Sequence, residues 1–294
     1  MSNSGYNIGY VINPYGNGSG IMREKPLELS LYAAGAGAFG VFLRWMEDQL
    51  AFNEEGLADP SAFHFLLAAF LLACLVVFWR FIQEIDRKRY EISPVFQEAL
   101  FTDVKLQTAL SFLAGFVMAL GALMTFAKSE TDQYVGMLRL LSGLALLSGL
   151  VFPLVLREAQ REKPRFGLLC PMMLAPMFTY AVWLILSYRR NAINSVPLAY
   201  GMDMLTAIVS MSAYFNMAGF AFGGAKPKRA LLLAMLSCTI CIMSLADLRY
   251  TGMQFILLAT AGQMLLYVWI LLRNLKERER KVIVQKDDGF EHLK

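Results

Sequence analysis

The chain has 294 residues, of which 57% are hydrophobic and 17% are charged, and its mean hydropathy is +0.47. Soluble domains average roughly 45–50% apolar and about 25% charged residues. This composition excludes intrinsic disorder, a disulfide-stapled secreted module and an ordinary cytosolic enzyme. A formal net charge of +4 is too small to indicate binding of nucleic acid.

Eight apolar stretches are long enough to cross a bilayer, whose hydrocarbon core of about 30 Å needs roughly 20 apolar residues in a helix. The fold class we predict is therefore all-α: a polytopic membrane helix bundle with eight transmembrane helices. Pro153 lies inside the fourth stretch and Pro171 and Pro176 inside the fifth, where they predict kinks. The predicted spans, within a bundle from 29 to 273, are about 29–48, 62–82, 108–127, 134–156, 168–188, 197–222, 230–247 and 252–273.

The segments outside the spans are short. Residues 1–28 are rich in Gly, Asn, Ser and Tyr, lack the pattern of a signal peptide, and are predicted to form a flexible cytoplasmic tail. In the longest loop, 94–101 predicts a short amphipathic helix that lies on the membrane. Residues 274–294 predict a cytoplasmic helical tail that extends the last span.

Lys and Arg alternate between loops in a way that predicts the orientation. Twenty-one of them fall in the N-terminal tail, in every second loop and in the C-terminal tail, against six on or near the other face. Positive charge concentrates on the cytoplasmic side of membrane proteins. We therefore expect both termini to be cytoplasmic, in the cytoplasmic (plasma) membrane of a bacterial-type cell, and a basic inner face that attracts anionic lipid headgroups.

Small residues recur at four-residue spacing within the spans. Residues 35–40 match GxGxxG, but this motif binds dinucleotides only between a strand and a helix, and here it lies inside an apolar helix. Small residues four apart instead let two membrane helices approach closely. The pairs for which we expect such packing are Ala33/Gly37, Ala36/Gly40, Ala145/Gly149 and Gly219/Gly223.

No catalytic or metal-binding motif emerges. The four cysteines lie in apolar runs, and the CxxC of Cys238 and Cys241 is interpreted as apolar filling of a membrane helix. The chain has two histidines, no HExxH and no GxSG motif, and Asp203 and Asp247 lack the GxGD pattern of intramembrane aspartyl proteases. We therefore expect no enzymatic activity, no metal and no cofactor.

Charged residues inside spans are costly and often functional. Asp203, Arg139 and Arg44 lie at a similar depth, about 8–9 Å below the outer surface at 1.5 Å per residue. On the sixth span, residues spaced three and four apart form a polar stripe along one helical face. We predict an outward-opening polar cavity with these three charges at its base and ligand-binding side chains along one wall: Tyr200, Ser210 and Tyr214. The alternative is that the arginines reach the outer interface and Asp203 pairs with one of them to hold helices together.

The segments FNEEGL (52–57) and AGFAFGGAKPKR (218–229) give the chain a general likeness to a class of proteins. It resembles uncharacterised multi-span integral membrane proteins of bacteria. The resemblance implies a membrane location and carries no activity or functional residue.

Two functions follow from these observations. The favoured one is a small-solute transporter or permease-like protein that uses the outer cavity. The alternative is a non-transporting membrane scaffold or accessory subunit of a membrane complex. The expected partners are the lipid bilayer and anionic headgroups, together with a small solute in the first case and a protein partner or second copy of the chain in the other.

Overall fold

A computed structural model describes residues 26–50, 62–88, 90–191, 197–247 and 249–277. Within these ranges eight helical segments are long and apolar enough to cross a membrane, which confirms the predicted all-α bundle of eight spans. The fifth span consists of two helices, and a short 3-10 turn (Ser244–Ala246) follows the seventh. The long helices are α1 (Pro26–Leu50), α2 (Ala62–Arg87), α4 (Lys105–Ser129), α5 (Val135–Ala159), α6 (Phe166–Met173), α7 (Ala175–Asn191), α8 (Pro197–Ala221), α9 (Pro227–Met243) and α10 (Thr251–Arg273).

The three prolines inside spans have different effects. Pro153 lies within the unbroken helix α5. In the fifth span α6 ends at Met173 and α7 begins at Ala175, between Pro171 and Pro176. Proline removes a backbone donor and crowds the preceding turn. Two prolines five residues apart therefore interrupt this span, where kinks alone were predicted.

Six of the spans form a closed ring. In order around it, α4 packs on α5, α5 on α7, α7 on α8, α8 on α9, α9 on α10, and α10 on α4. Helix α1 packs outside the ring against α9 and α10, and α2 packs against α1 and α9. The side chains that these six helices direct inward therefore meet in a shared centre, away from lipid.

Small residues were predicted to allow close helix packing on three spans, and they lie at helix crossings on two of these, α1 and α5. Gly37 and Gly40 of α1 face α9, where an added Cβ at Gly37 would lie 3.0 Å from the carbonyl oxygen of Thr239. Gly149 of α5 faces Gly115 of α4, backbone against backbone. The expectation for Gly219 and Gly223 is wrong. Gly223 has a φ of 72° and ends α8 there, because glycine adopts this left-handed conformation without steric cost.

A short helix, α3 (Phe96–Leu100), and two strands, β1 (Tyr90–Glu91) and β2 (Lys276–Glu277), cover one end of the bundle. The predicted amphipathic helix does exist, but its apolar side chains (Phe96, Ala99, Leu100) are buried in the protein. The prediction that it lies on the membrane is therefore wrong, because the bundle itself supplies an apolar surface for it.

The helical extension predicted at 274–294 does not form in the residues that the structure describes. Helix α10 ends at Arg273, the Asn274 side chain donates hydrogen bonds to the carbonyl oxygens of Ala99 and Phe101, and β2 pairs antiparallel with β1. These contacts draw the chain back over α3. Residues 278–294 and the predicted tail up to residue 25 lie outside the described residues.

Candidate functional site

The loops after α4 and α9 lie at the end of the bundle that the charge count predicts to face outside, which we call the outer end; the opposite end is the inner end. At the outer end five charged side chains and one tryptophan form a buried group that we call the outer ion network: Arg44, Glu47, Trp183, Asp203, Asp247 and Arg249. They come from α1, α7, α8 and the segment between α9 and α10.

Arg249 is the centre of the outer ion network. Its Nη2 lies 2.7 Å from Asp247 Oδ2 and 3.0 Å from Asp203 Oδ1, and its guanidinium group stacks over the ring of Trp183. The indole N–H of Trp183 donates to Asp203 at 3.1 Å. Asp247 also accepts a hydrogen bond from Arg44 Nε at 2.7 Å, and Arg44 pairs with Glu47 one turn along α1. The network thus joins three separate helices to one loop.

The structure brings together only two of the three predicted charges. Asp203 and Arg44 belong to one network but are linked through Arg249 and Asp247. Arg139 pairs weakly with Glu130 at 3.9 Å, lies over the ring of Phe126, and has a side chain that is 50% exposed. Arg139 lies at the predicted depth along α5, but on the outward face of the helix. This position fits the alternative interpretation, in which the arginines reach the outer interface. The side chain of Tyr200 lies outside the described residues.

Sequence reasoning missed the roles of Asp247 and Arg249, because Asp247 is the last residue of the predicted seventh span, 230–247, and Arg249 lies beyond it. The signal that was available is their spacing. An aspartate and an arginine two residues apart, directly after an apolar helix, present opposite charges to the same end of the bundle as Asp203 and Arg44.

A second polar group lies at the same end. Asp132, in the loop after α4, accepts hydrogen bonds from the hydroxyl of Tyr250 at 3.0 Å and from Arg190, whose nitrogen lies 2.5 Å away. Burial by itself would raise the pKa of Asp132. The hydrogen bonds from the Tyr134 backbone N–H, Tyr250 and Arg190 outweigh it and lower the pKa below its ordinary value.

The lowered pKa of Asp132 predicts a loss of stability in acid. A carboxylate whose pKa is depressed on folding stabilises the protein above its unfolded pKa, about 3.9 for aspartate, and loses this contribution as the pH falls through the folded pKa. We expect the thermal unfolding temperature of the wild type in detergent to fall between about pH 5 and about pH 2, and Asp132→Asn to fall less over the same range. Equal pH dependence in the two proteins would contradict this assignment.

The polar stripe of α8 faces the protein interior. Ser210 is 0% exposed and hydrogen-bonds to Ser237 at 3.0 Å and to the thiol of Cys241 at 3.2 Å, both on α9. One turn toward the outer end, Thr206 bonds to Ser244 at 2.6 Å. The side chains predicted to line one wall of an open cavity are therefore paired across a helix contact in this conformation.

Three stacked aromatic rings fill the centre of the six-helix ring. Tyr214 of α8 stacks on Phe152 of α5 and on Tyr180 of α7, with 6.0 Å between centroids in both cases. The hydroxyls of Tyr180 and Tyr214 both point to Thr260 of α10, at 2.7 and 3.4 Å. We call Phe152, Tyr180 and Tyr214 the aromatic plug. It joins helices that are not neighbours in the ring, so it closes the centre.

Below the aromatic plug, polar side chains continue toward the inner end between α4 and α10. Ser111 donates to the Gln263 side-chain oxygen at 3.2 Å, and Thr102 donates to that of Gln107. With the groups above, these residues form a buried series that we call the polar column. Its members are Thr206, Ser210, Ser237, Cys241, Tyr180, Tyr214, Thr260, Gln263, Ser111 and Gln107.

Two amide groups of the polar column are not fully satisfied. The side-chain nitrogens of Gln107 and Gln263 are buried and have no hydrogen-bond partner among the described residues, as is also true of the Ser187 hydroxyl. A buried polar group without a partner costs about 1–3 kcal/mol. A column that served only to hold helices together would be expected to be fully paired.

Within the described ranges, no three His, Cys, Asp or Glu side chains are placed so that they could hold a metal ion. Cys238 and Cys241 are fully buried free thiols among apolar and hydroxyl side chains. The arrangement offers hydrogen-bond donors and acceptors in a protein interior that is closed at one end by ion pairs.

Comparison of the chain with protein-family models, with curated proteins and with solved structures gives no match. The functional conclusion must therefore come from the geometry alone. Eight apolar helices place the chain among polytopic membrane proteins, in a lipid bilayer.

Proposed function

We propose that the protein is a small-solute transporter of the bacterial cytoplasmic membrane, with both termini in the cytoplasm. The solute route is the polar column, and the conformation described above is a closed one. In it the outer ion network covers the outer end and the aromatic plug closes the centre. No chemical conversion of the solute is assigned to the protein.

The observation that carries this proposal is the polar column itself. Bonds between polar side chains of membrane helices contribute only about 0.6 kcal/mol on average, so helix association does not require many of them. Here hydroxyls, a thiol and amides follow one another from Thr206 near the outer end to Gln107 near the inner end. Because the polar column spans the bundle and retains unpaired donors, it supports a solute route better than it supports a set of contacts that only hold helices together.

The alternative, a non-transporting scaffold or accessory subunit, is favoured by one observation. The inward face of α8 is packed without exposure at Ala207, Ser210 and Tyr214, as in a solid bundle. A transporter opens this face during its cycle, whereas a scaffold keeps it closed. Accessibility to water along α8 therefore separates the two functions.

We expect single cysteines at 207, 210 and 214, in a variant without native cysteines, to react slowly with a water-soluble, membrane-impermeant thiol reagent added outside intact cells. A cysteine at 203 serves as the fast outer reference. Cysteines at Ile208 and Phe215, whose side chains are exposed on the lipid-facing side of the same helix, are the matched controls and should not react. Reaction that stops at 203 would reject the solute route and support the scaffold.

A further inference from the structure

We infer that the transporter proposed above, on which this inference rests, binds its solute at Gln107 and Gln263, and that the solute is a small uncharged molecule with at least two hydrogen-bond acceptor atoms. We call Gln107, Ser111 and Gln263 the amide site. It lies between α4 and α10, on the inner side of the aromatic plug.

The hydrogen bonds at the amide site orient both glutamines in the same way. The Thr102 hydroxyl accepts from the backbone N–H of Val104 and donates to Gln107 Oε1. The Ser111 hydroxyl donates to Gln263 Oε1. Both amide oxygens are thereby occupied. Within the described residues neither amide nitrogen forms a hydrogen bond of normal distance and angle, and the Gln263 side chain lies beside the Tyr267 hydroxyl. The site therefore presents donors to a ligand and has its acceptors already in use.

Ser111 relates the two glutamines of the amide site to each other. Gln107 and Ser111 are four residues apart and share one face of α4, and Ser111 contacts Gln263 directly at 3.2 Å. One helical turn, a rise of about 5.4 Å, separates Gln107 from Ser111 along α4. All three residues are 0% exposed, so a molecule bound here is enclosed by protein.

The chemistry of the amide site selects the class of solute. Two donor groups pair with carbonyl, ether or hydroxyl oxygens. No charged side chain contributes to the site in the described part of the chain, and burying an ion without an opposite charge is strongly unfavourable. An apolar molecule would leave both donors unpaired. Small polyols and amides such as glycerol and urea meet these requirements.

The test measures glycerol and urea entry into proteoliposomes by stopped-flow light scattering, with the full chain reconstituted. We expect wild-type entry rates clearly above those of protein-free liposomes, and rates at least about tenfold lower for Gln263→Leu and Gln107→Leu, because leucine has a similar size but no donor. Ser148→Ala is the matched control. It removes a buried hydroxyl that pairs with Thr179 between α5 and α7, outside the amide site, and should transport like the wild type.

A second readout separates a binding role from a structural one. Each leucine removes a buried unpaired amide nitrogen but also the acceptor of a buried hydroxyl, Ser111 or Thr102. These two effects oppose each other, so both variants should unfold close to the wild-type temperature. Variants that lose transport only because they are destabilised would contradict the inference. So would wild-type rates equal to those of protein-free liposomes while the α8 cysteines react with the thiol reagent, an outcome that keeps the transport function. Absence of reaction beyond 203 would instead overturn the transport function itself.

Discussion

Replacing Gly149 by alanine is expected to lower the free energy of unfolding by about 1–3 kcal/mol, the range found when an extra carbon is forced into a packed interior. A Cβ at this position would lie 2.6 Å from the backbone carbonyl oxygen of Gly115 and 3.3 Å from the backbone nitrogen of Ala119. The obstacle is main chain on α4, which cannot rotate away as a side chain can. Relief requires the two helices to separate along their whole contact.

Gly143→Ala is the matched control for this prediction, because it makes the same substitution on the same helix. A Cβ at Gly143 would meet nothing within 4 Å. Alanine is favoured over glycine inside a helix by roughly 0.5–1 kcal/mol, so this variant should be as stable as the wild type or slightly more stable. Thermal unfolding can be followed with a thiol-reactive dye, since Cys238 and Cys241 are fully buried until the bundle opens. Equal unfolding temperatures for the two variants would show that the α4–α5 crossing is looser than described.

The second large effect is expected at Arg249. Its side chain is 9% exposed and pairs with Asp203 and Asp247 at the same time, while its Nη1 also donates to the Ser244 carbonyl oxygen at 3.0 Å. Arg249→Met removes the positive charge and leaves two partly buried carboxylates facing each other. Removing one partner of a buried ion pair costs about 3–5 kcal/mol, and we expect a loss near the lower end of this range because Asp203 is 20% exposed.

Arg139→Met is the matched control for Arg249→Met. Arg139 lies on a different helix near the same end, but it is half exposed and its distance to Glu130 is 3.9 Å, so its replacement should cost about 0–1 kcal/mol. Adding Asp203→Asn to Arg249→Met should recover part of the lost stability, because Asp203 loses its cationic partner in Arg249→Met whereas Asp247 keeps its ion pair with Arg44. The network would be refuted as a stabilising element if Arg249→Met unfolded at the same temperature as Arg139→Met.

The comparison of Arg139 with Arg249 shows what depth alone can and cannot predict. The distance of a residue from the end of a span follows from the rise of the helix, so Arg44, Arg139 and Asp203 were correctly placed near one end. The direction in which each side chain points around the helix depends on which neighbours the helix packs against. Arg139 points outward. The arginine that meets Asp203 is Arg249, which lies beyond the end of the predicted seventh span.

The polar stripe of α8 was recognised as a pattern but not as a contact. The spacing of Ser210 and Tyr214 places them on one helical face, which the structure preserves. Whether such a face lines an open cavity or packs on another helix depends on the partner surface. Ser237 and Cys241 of α9, with Thr260 of α10, supply hydrogen-bonding groups at the matching positions. The face is therefore paired in the conformation described.

The sequence by itself determined that eight helices form and that they are apolar enough for a bilayer, because each span is decided by the hydropathy of its own 20 or so residues. Only the tertiary structure decided which charges meet, that six helices close a ring around the aromatic plug, and that Ser111 of α4 pairs with Gln263 of α10. Arg44 and Asp247 are separated by 203 positions along the chain. Contacts over such separations depend on how all the helices pack together, which the residues of one span do not determine.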